Sequence, residues 1–291
     1  MRQGGIVAGL SSDDDLTRTG DHTQKLLEKI MLECLINGEI STFLNAASRG
    51  LCFGDGVLET IPVKNGRPRR WQAHMDRLGA GCERLGLAMP PQAILLREVQ
   101  TVSAGLPNAV VQIIVMRDGE CTDYAAGEDS SCTRVVSAHP YPDGILERAR
   151  EGVRARICDL RLAIQPALGG IKHLNRLEQV LASTEMRDGS ADEGLLLDTE
   201  GHVISAISAN IFIVMGDRLL TPRLDRCGVR GVLRSHILTD FASRCEQRRI
   251  KEDLLRDAHD VFLCDCVRGI APVSSIDNYQ YRIGPVTREL Q

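Results

Sequence analysis

Lys172-His173-Leu174-Asn175-Arg176-Leu177-Glu178-Gln179-Val180 is the stretch on which the reading of this chain turns. It follows Gly169-Gly170, and residues 172–187 read as one helix opened by that glycine pair. A cation at the start of a helix faces the positive end of the helix dipole, which is slightly unfavourable. Lys172 therefore reads either as a surface lysine or as a lysine placed there for chemistry, and its placement favours the second.

Downstream, Leu195–Asp198 and Val203–Met215 read as paired strands around the Thr199-Glu200-Gly201-His202 turn. Val229–Gln247 reads as a helix opened by Gly228, and Val261–Cys266 as a further strand. Upstream, Leu35-Ile36-Asn37-Gly38-Glu39-Ile40 carries the Asn-Gly signal of a hairpin. Val57–Val63 reads as a strand ending in a Lys64-Asn65-Gly66 turn. Trp71–Leu87 reads as a helix that turns Trp71, Met75, Leu78, Cys82 and Leu85 to the core. Val110–Val115 reads as a buried strand. The breaker-rich segment Ala138–Gly144 marks a boundary. The expected fold is α/β (α+β), with an extension over 1–32, a small domain over 33–143, a larger domain over 144–291 and a site in the cleft between them. Within the extension, 11–24 reads as a solvated leader and 24–35 as a short amphipathic helix.

The bulk numbers narrow the classes. A chain of 291 residues exceeds what one core usually takes. A net charge of −4 with no basic stripe argues against a nucleic-acid partner. The longest apolar runs, such as Ile211–Met215, are far too short for a membrane span, and no basic-then-apolar leader suggests secretion. Ten cysteines contain no C-x-x-C pair; Cys264 and Cys266 are the closest, and two further ligands at zinc spacing are missing. They read as reduced thiols of a cytoplasmic protein, and no metal is expected.

Several further segments stand in order along the chain. They are Phe53-Gly54-Asp55-Gly56-Val57-Leu58-Glu59-Thr60, His74-Met75-Asp76-Arg77-Leu78, Asp192–Asp198, Ser208-Ala209-Asn210-Ile211-Phe212, Thr221-Pro222-Arg223-Leu224-Asp225, Gly228-Val229 with Arg234, and Arg268–Val273. Together with the lysine stretch they resemble the class IV aminotransferase family, which depends on pyridoxal 5'-phosphate (PLP). Within it they are most similar to the aminodeoxychorismate lyase branch, over roughly residues 33–276. In such proteins one lysine bonds covalently to PLP and, once displaced by the substrate amine, moves a proton. The resemblance assigns that role to Lys172 and the PLP phosphate to Arg77. Val229 and Arg230, in the turn opening the next helix, are expected to add backbone N–H groups to the phosphate. Thr60 matches a threonine suited to act as an acid. Arg117 and Arg268 are candidates for a substrate carboxylate. The family is usually a homodimer acting on a small molecule.

Four positions depart from the family pattern. Ser205 stands where the family places a glutamate beside the pyridine nitrogen. A carboxylate keeps that nitrogen protonated, whereas a hydroxyl only shares a hydrogen bond with a mostly neutral one. Transamination suffers most from this loss, because in β-elimination the departing group relieves the charge. Asp265 replaces a usual asparagine near the cofactor, and Cys266 stands near a usual hydroxyl; a carboxylate beside a phosphate repels it unless paired or protonated. Thr122-Asp123-Tyr124 replaces a usual Arg-Gly-Tyr. Three readings follow. One is a lyase making 4-aminobenzoate and pyruvate from 4-amino-4-deoxychorismate, in folate synthesis. The second is an aminotransferase of branched-chain or D-amino acids. The third is a PLP-deficient relative with a binding or regulatory role, or with a changed cofactor requirement.

Overall fold

The computed structural model describes residues 34–126 and 131–291. The leader and extension lie outside the described residues, as does the helix expected over 24–35 except for its last two positions. Cys34 and Leu35 belong to a strand, Cys34–Ile36. Asn37 and Gly38, at φ 53° and 93°, fold it back onto Glu39–Ile40. That pair of left-handed residues is what a two-residue hairpin requires, and Asn and Gly tolerate it.

Six antiparallel strands build the first sheet, in the order Glu39–Ile40, Cys34–Ile36, Cys132–Pro140, Asn108–Arg117, Gly56–Lys64, Arg67–Pro68. Side chains alternate across a strand, so each strand has two faces. Val57, Ile61, Val63, Val111, Ile113 and Val115 form one core with Met75, Leu78, Cys82, Leu95 and Val99 of the helices Trp71–Leu85 and Gln92–Val102. Trp71 and Leu85 are partly buried against it, as their spacing predicts. Each fully buried side chain of this kind contributes about 1.5–3 kcal/mol. The opposite parity, Thr60, Val110, Gln112 and His139, is left to line a cleft.

The second sheet has ten strands, and both of its faces are covered. Its order is Cys245–Arg248, Arg218–Pro222, Asn210–Met215, Asp260–Asp265, Gly269–Ile276, Val153–Leu162, Glu193–Asp198, His202–Ala206, Ile250–Lys251, with Tyr279–Gln280 against Gly269–Ile276. Coverage on both faces explains unbroken apolar runs such as Ile211–Met215. Ile211 and Ile213 pack on one side, while Phe212 stacks on Phe262 at 5.0 Å on the other.

Four sequence expectations change. The segment 203–215 is two strands, because Ile207-Ser208-Ala209 turns the chain and Asn210–Met215 pairs with Asp260–Asp265 instead. The helix expected over 229–247 spans only Val232–Asp240, and Cys245–Arg248 becomes a strand parallel to Arg218–Pro222. The first sheet's strand runs on to Pro140, so the breakers act only from Tyr141. The helix expected over 172–187 is Leu177–Thr184. Residues 170–174 stay outside the helix because isolated bridges, Gly170 to Val229 and His173 to Val57, claim their backbone.

Candidate active site

That pairing stitches the two sheets together. On one side Leu58 N–H donates to Lys172 O at 2.9 Å, and Leu174 N–H to Gly56 O at 2.9 Å. On the other, Gly170 N–H donates to Gly228 O and Arg230 N–H to Gly170 O, each at 3.0 Å. Such close passage needs glycine. Gly170 has φ 88°, and a Cβ there would come within 2.9 Å of Arg230 Nε and 3.1 Å of Leu224 O. Lys172 is thus held between the sheets and not at a helix start, so the dipole argument does not apply to it.

Its side chain enters a cleft of about 790 Å³, within the range of small-molecule sites. Thr60, Arg77, Lys172, Ser205, Val229, Asp265, Cys266 and Arg268 all line it. Burial pushes the Lys172 amine down to about 8, with Arg77 and Arg176 adding to the effect. A neutral amine is the form that acts as nucleophile or base. Next to it, burial holds the His173 imidazole down to about 4.

Arg77 is fixed from behind. Its Nε donates to Glu59 Oε1 at 2.7 Å and its Nη2 to Glu59 Oε2 at 2.6 Å. His74 Nδ1 meets the same carboxylate at 2.7 Å, and both Glu59 and His74 are fully buried. Burial alone would raise the Glu59 carboxyl; Arg77 and His74 together outweigh it and the group falls below its ordinary value. Nε2 of His74 is buried without a hydrogen-bond partner among the described residues. Sequence reading missed Glu59 and His74. The signal was present: Glu59 shares the parity of Val57, Ile61 and Val63, and an acid facing a core requires a partner.

Arg77 Nη1 reaches Arg230 O at 3.3 Å. The turn around it is set by Asn210, whose Nδ2 donates to Val229 O at 2.9 Å and whose Oδ1 accepts from Gly231 N–H at 3.0 Å. Arg230 itself is a correction: it does not line the cleft, and its N–H is spent on Gly170. Val229 and Val232 do line it. The Val232–Asp240 helix begins there, and its first-turn N–H groups lack a carbonyl within the helix.

Asp265 is paired rather than bare. Its Oδ1 accepts from Val267 N–H at 2.8 Å and Arg268 N–H at 2.9 Å, and its Oδ2 from Arg268 Nε at 2.7 Å. Arg268 also donates to Glu193 Oε2 at 3.2 Å and to Ser208 Oγ at 2.6 Å. It lies in the cleft wall with its donors largely engaged. Arg117 is not in the cleft: Asp55, at 3.0 Å, and the carbonyls of Leu85 and Gly86 take up its guanidinium. Ser205 is buried, and neither its hydroxyl nor that of Thr60 has a hydrogen-bond partner among the described residues. Burial pushes the Cys266 thiol up, so at neutral pH it is an uncharged neighbour of Arg77.

The model of the class IV amino-transferase family matches residues 56–276, most of the chain and every cleft residue named above. The chain belongs to that family. Among family members it is similar to an aminodeoxychorismate lyase of Vibrio harveyi, 32% identical over 264 residues, which are 88% of this chain and 97% of that protein. The crystal structure of 4-amino-4-deoxychorismate lyase from Pseudomonas aeruginosa is 37% identical, with a TM-score of 0.84 over 89% of this chain and 96% of that one. The branched-chain amino acid aminotransferase of Escherichia coli shares the fold at a TM-score of 0.78 and 22% identity, covering 89% and 92%. The class IV fold is therefore as the motifs implied, and the chain is an enzyme of that family.

Proposed function

We propose that this enzyme is a PLP-dependent lyase that converts 4-amino-4-deoxychorismate into 4-aminobenzoate and pyruvate. One observation carries the reading: Lys172, with its amine lowered to about 8, lies in a single cleft with Arg77, Thr60 and Ser205. The lyase relatives, at 32% and 37% identity, support the choice of reaction.

The cleft residues fit PLP. Arg77 and the N–H groups around Val229 and Val232 would hold the phosphate, since a guanidinium braced by Glu59 and an uncapped helix start both suit an anion. Asp265, tied to Arg268, adds no free charge against it. Ser205 would face the ring nitrogen with a hydroxyl. PLP supplies a covalent hold on the substrate amine and a sink for electrons. Lys172 Nζ takes the proton from the aminated ring carbon. The enolpyruvyl C–O bond then breaks, the electrons of the broken C–H bond complete the aromatic ring, and Thr60 Oγ gives a proton to the departing pyruvate.

An aminotransferase would share this fold, but Ser205 weakens the sink that such chemistry needs. Loaded enzyme given aminodeoxychorismate is expected to release 4-aminobenzoate, and Lys172→Ala to release none. Pyridoxamine phosphate formed from amino acids, with no 4-aminobenzoate, would replace the lyase reading with the aminotransferase one. A colourless protein that borohydride cannot label with PLP would favour the PLP-deficient reading.

We place the enzyme in the cytoplasm as a homodimer. Ten free thiols suit a reducing compartment. Exposed Ile40, Phe43 and Leu51, with Tyr124, supply apolar surface for a second copy.

A further inference from the structure

Among the described residues, five lysine and arginine side chains line the cleft: Arg77, Arg148, Lys172, Arg176 and Arg268. Four are accounted for. Arg77 is bound to Glu59, Arg268 to Asp265 and Glu193, Arg148 is exposed, and Lys172 is the reactive amine. Arg176 differs. It is partly buried, its Nε donates to His173 O at 3.0 Å, and among the described residues no carboxylate lies within ion-pair distance of it. A guanidinium loses water on burial and recovers the cost from a counter-charge or a full set of acceptors, and among the described residues Arg176 has one carbonyl. Burial holds its guanidinium down to about 10, with Glu178 opposing, so it stays charged at neutral pH.

The same wall holds a second unsatisfied group. Gln179 lies three residues further on, hence on the same helical face, and also lines the cleft. Its Oε1 is buried without a hydrogen-bond partner among the described residues. Arg117 and Arg268, the arginines that sequence reading put forward for a substrate carboxylate, have their donors engaged elsewhere. We infer that Arg176 is the anchor for a substrate carboxylate, with the Gln179 amide as its polar neighbour. The guanidinium Nη1 and Nη2 groups offer the paired N–H donors that match a carboxylate. The inference rests on the lyase reading for its choice of substrate; aminodeoxychorismate carries carboxylates and no phosphate.

The test is steady-state kinetics on the PLP-loaded enzyme, with PLP affinity measured in parallel. Arg176→Gln is expected to raise KM for aminodeoxychorismate by about 10- to 150-fold while PLP affinity stays within about twofold. Arg176→Lys keeps the charge but not the fork and should fall between, which guards against a folding defect in the glutamine variant. An unchanged KM in a variant that still makes 4-aminobenzoate would overturn the inference. So would a PLP affinity that falls in step with KM, since Arg176 would then belong to the cofactor's site. If the wild type makes no 4-aminobenzoate, the lyase reading fails by itself and benzoate becomes the probe. Benzoate that perturbs PLP absorbance in the wild type but not in Arg176→Gln supports the anchor; an equal response in both removes it.

Discussion

Lys172 carries the most direct consequence of burial. Its folded value of about 8 lies below the ordinary 10.5, so between those values the unfolded chain binds the extra proton. The sign follows: in the cofactor-free enzyme this lysine costs stability below about pH 8, and the cost fades as pH rises from about 8 towards 10.5. The reactivity of the amine should follow the same midpoint. Trinitrophenylation of Lys172, followed by mass spectrometry across pH, is expected to accelerate through about pH 8; a midpoint near 10.5 would remove the case for a tuned amine. Ser205 provides a second residue-scale prediction. Ser205→Glu should tighten PLP by roughly tenfold if the ring nitrogen sits against it, because a charge-assisted hydrogen bond replaces a neutral one. Unchanged affinity in a fluorescence titration would move the ring elsewhere.

At the scale of elements, the Gly56–Lys64 strand and the Trp71–Leu85 helix form one device. The strand turns Glu59 into the core, and the helix brings His74 and Arg77, three residues apart, onto it. Glu59→Gln leaves a neutral partner behind Arg77 and should weaken PLP by about 10- to 100-fold while leaving pyridoxal, which has no phosphate, almost unaffected. Equal losses for both ligands would mean general damage. Glu59→Ala should also destabilise the fold by about 3–5 kcal/mol, since Arg77 loses its buried counter-charge. Elements whose pattern is local were legible in the sequence: the Asn37-Gly38 hairpin, the Val57–Val63 strand, and the helix with Met75, Leu78 and Cys82 inward. The Lys172 segment was legible as a motif but not as a conformation. Residues 172–176 have a helix-like pattern, and what keeps Lys172 to Leu174 out of a helix is pairing with Gly56 and Leu58, which lie far away in the chain. The same limit applies to Arg117 and Arg268. Nothing local shows that Asp55 will occupy Arg117 or that Glu193 will join the local Asp265 on Arg268, whereas Arg176 becomes conspicuous only when the other cations in the cleft have been accounted for.

At the scale of the molecule, the cleft is built from both sheets at once. Arg77 comes from a helix of the first sheet, Val229, Val232 and Ser205 from the second, and the 170–174 segment is hydrogen-bonded to each. A ligand that touches both halves stabilises both, provided that the unfolded chain does not bind it. At a PLP concentration of 100 times Kd the gain is about 2.7 kcal/mol. Trp71, the single tryptophan, lies on the first sheet's helix and reports on that half alone. Circular dichroism reports on the whole chain. Melting curves from the two probes should coincide and shift upward together as PLP is added. Lys172→Ala should give a smaller shift than the wild type and Glu59→Gln a smaller one still, if the phosphate contributes more binding energy than the covalent bond. A PLP-induced shift seen by circular dichroism but absent from Trp71 fluorescence would mean that the ligand is held by the second sheet alone, and the role given to Arg77 would fall with it.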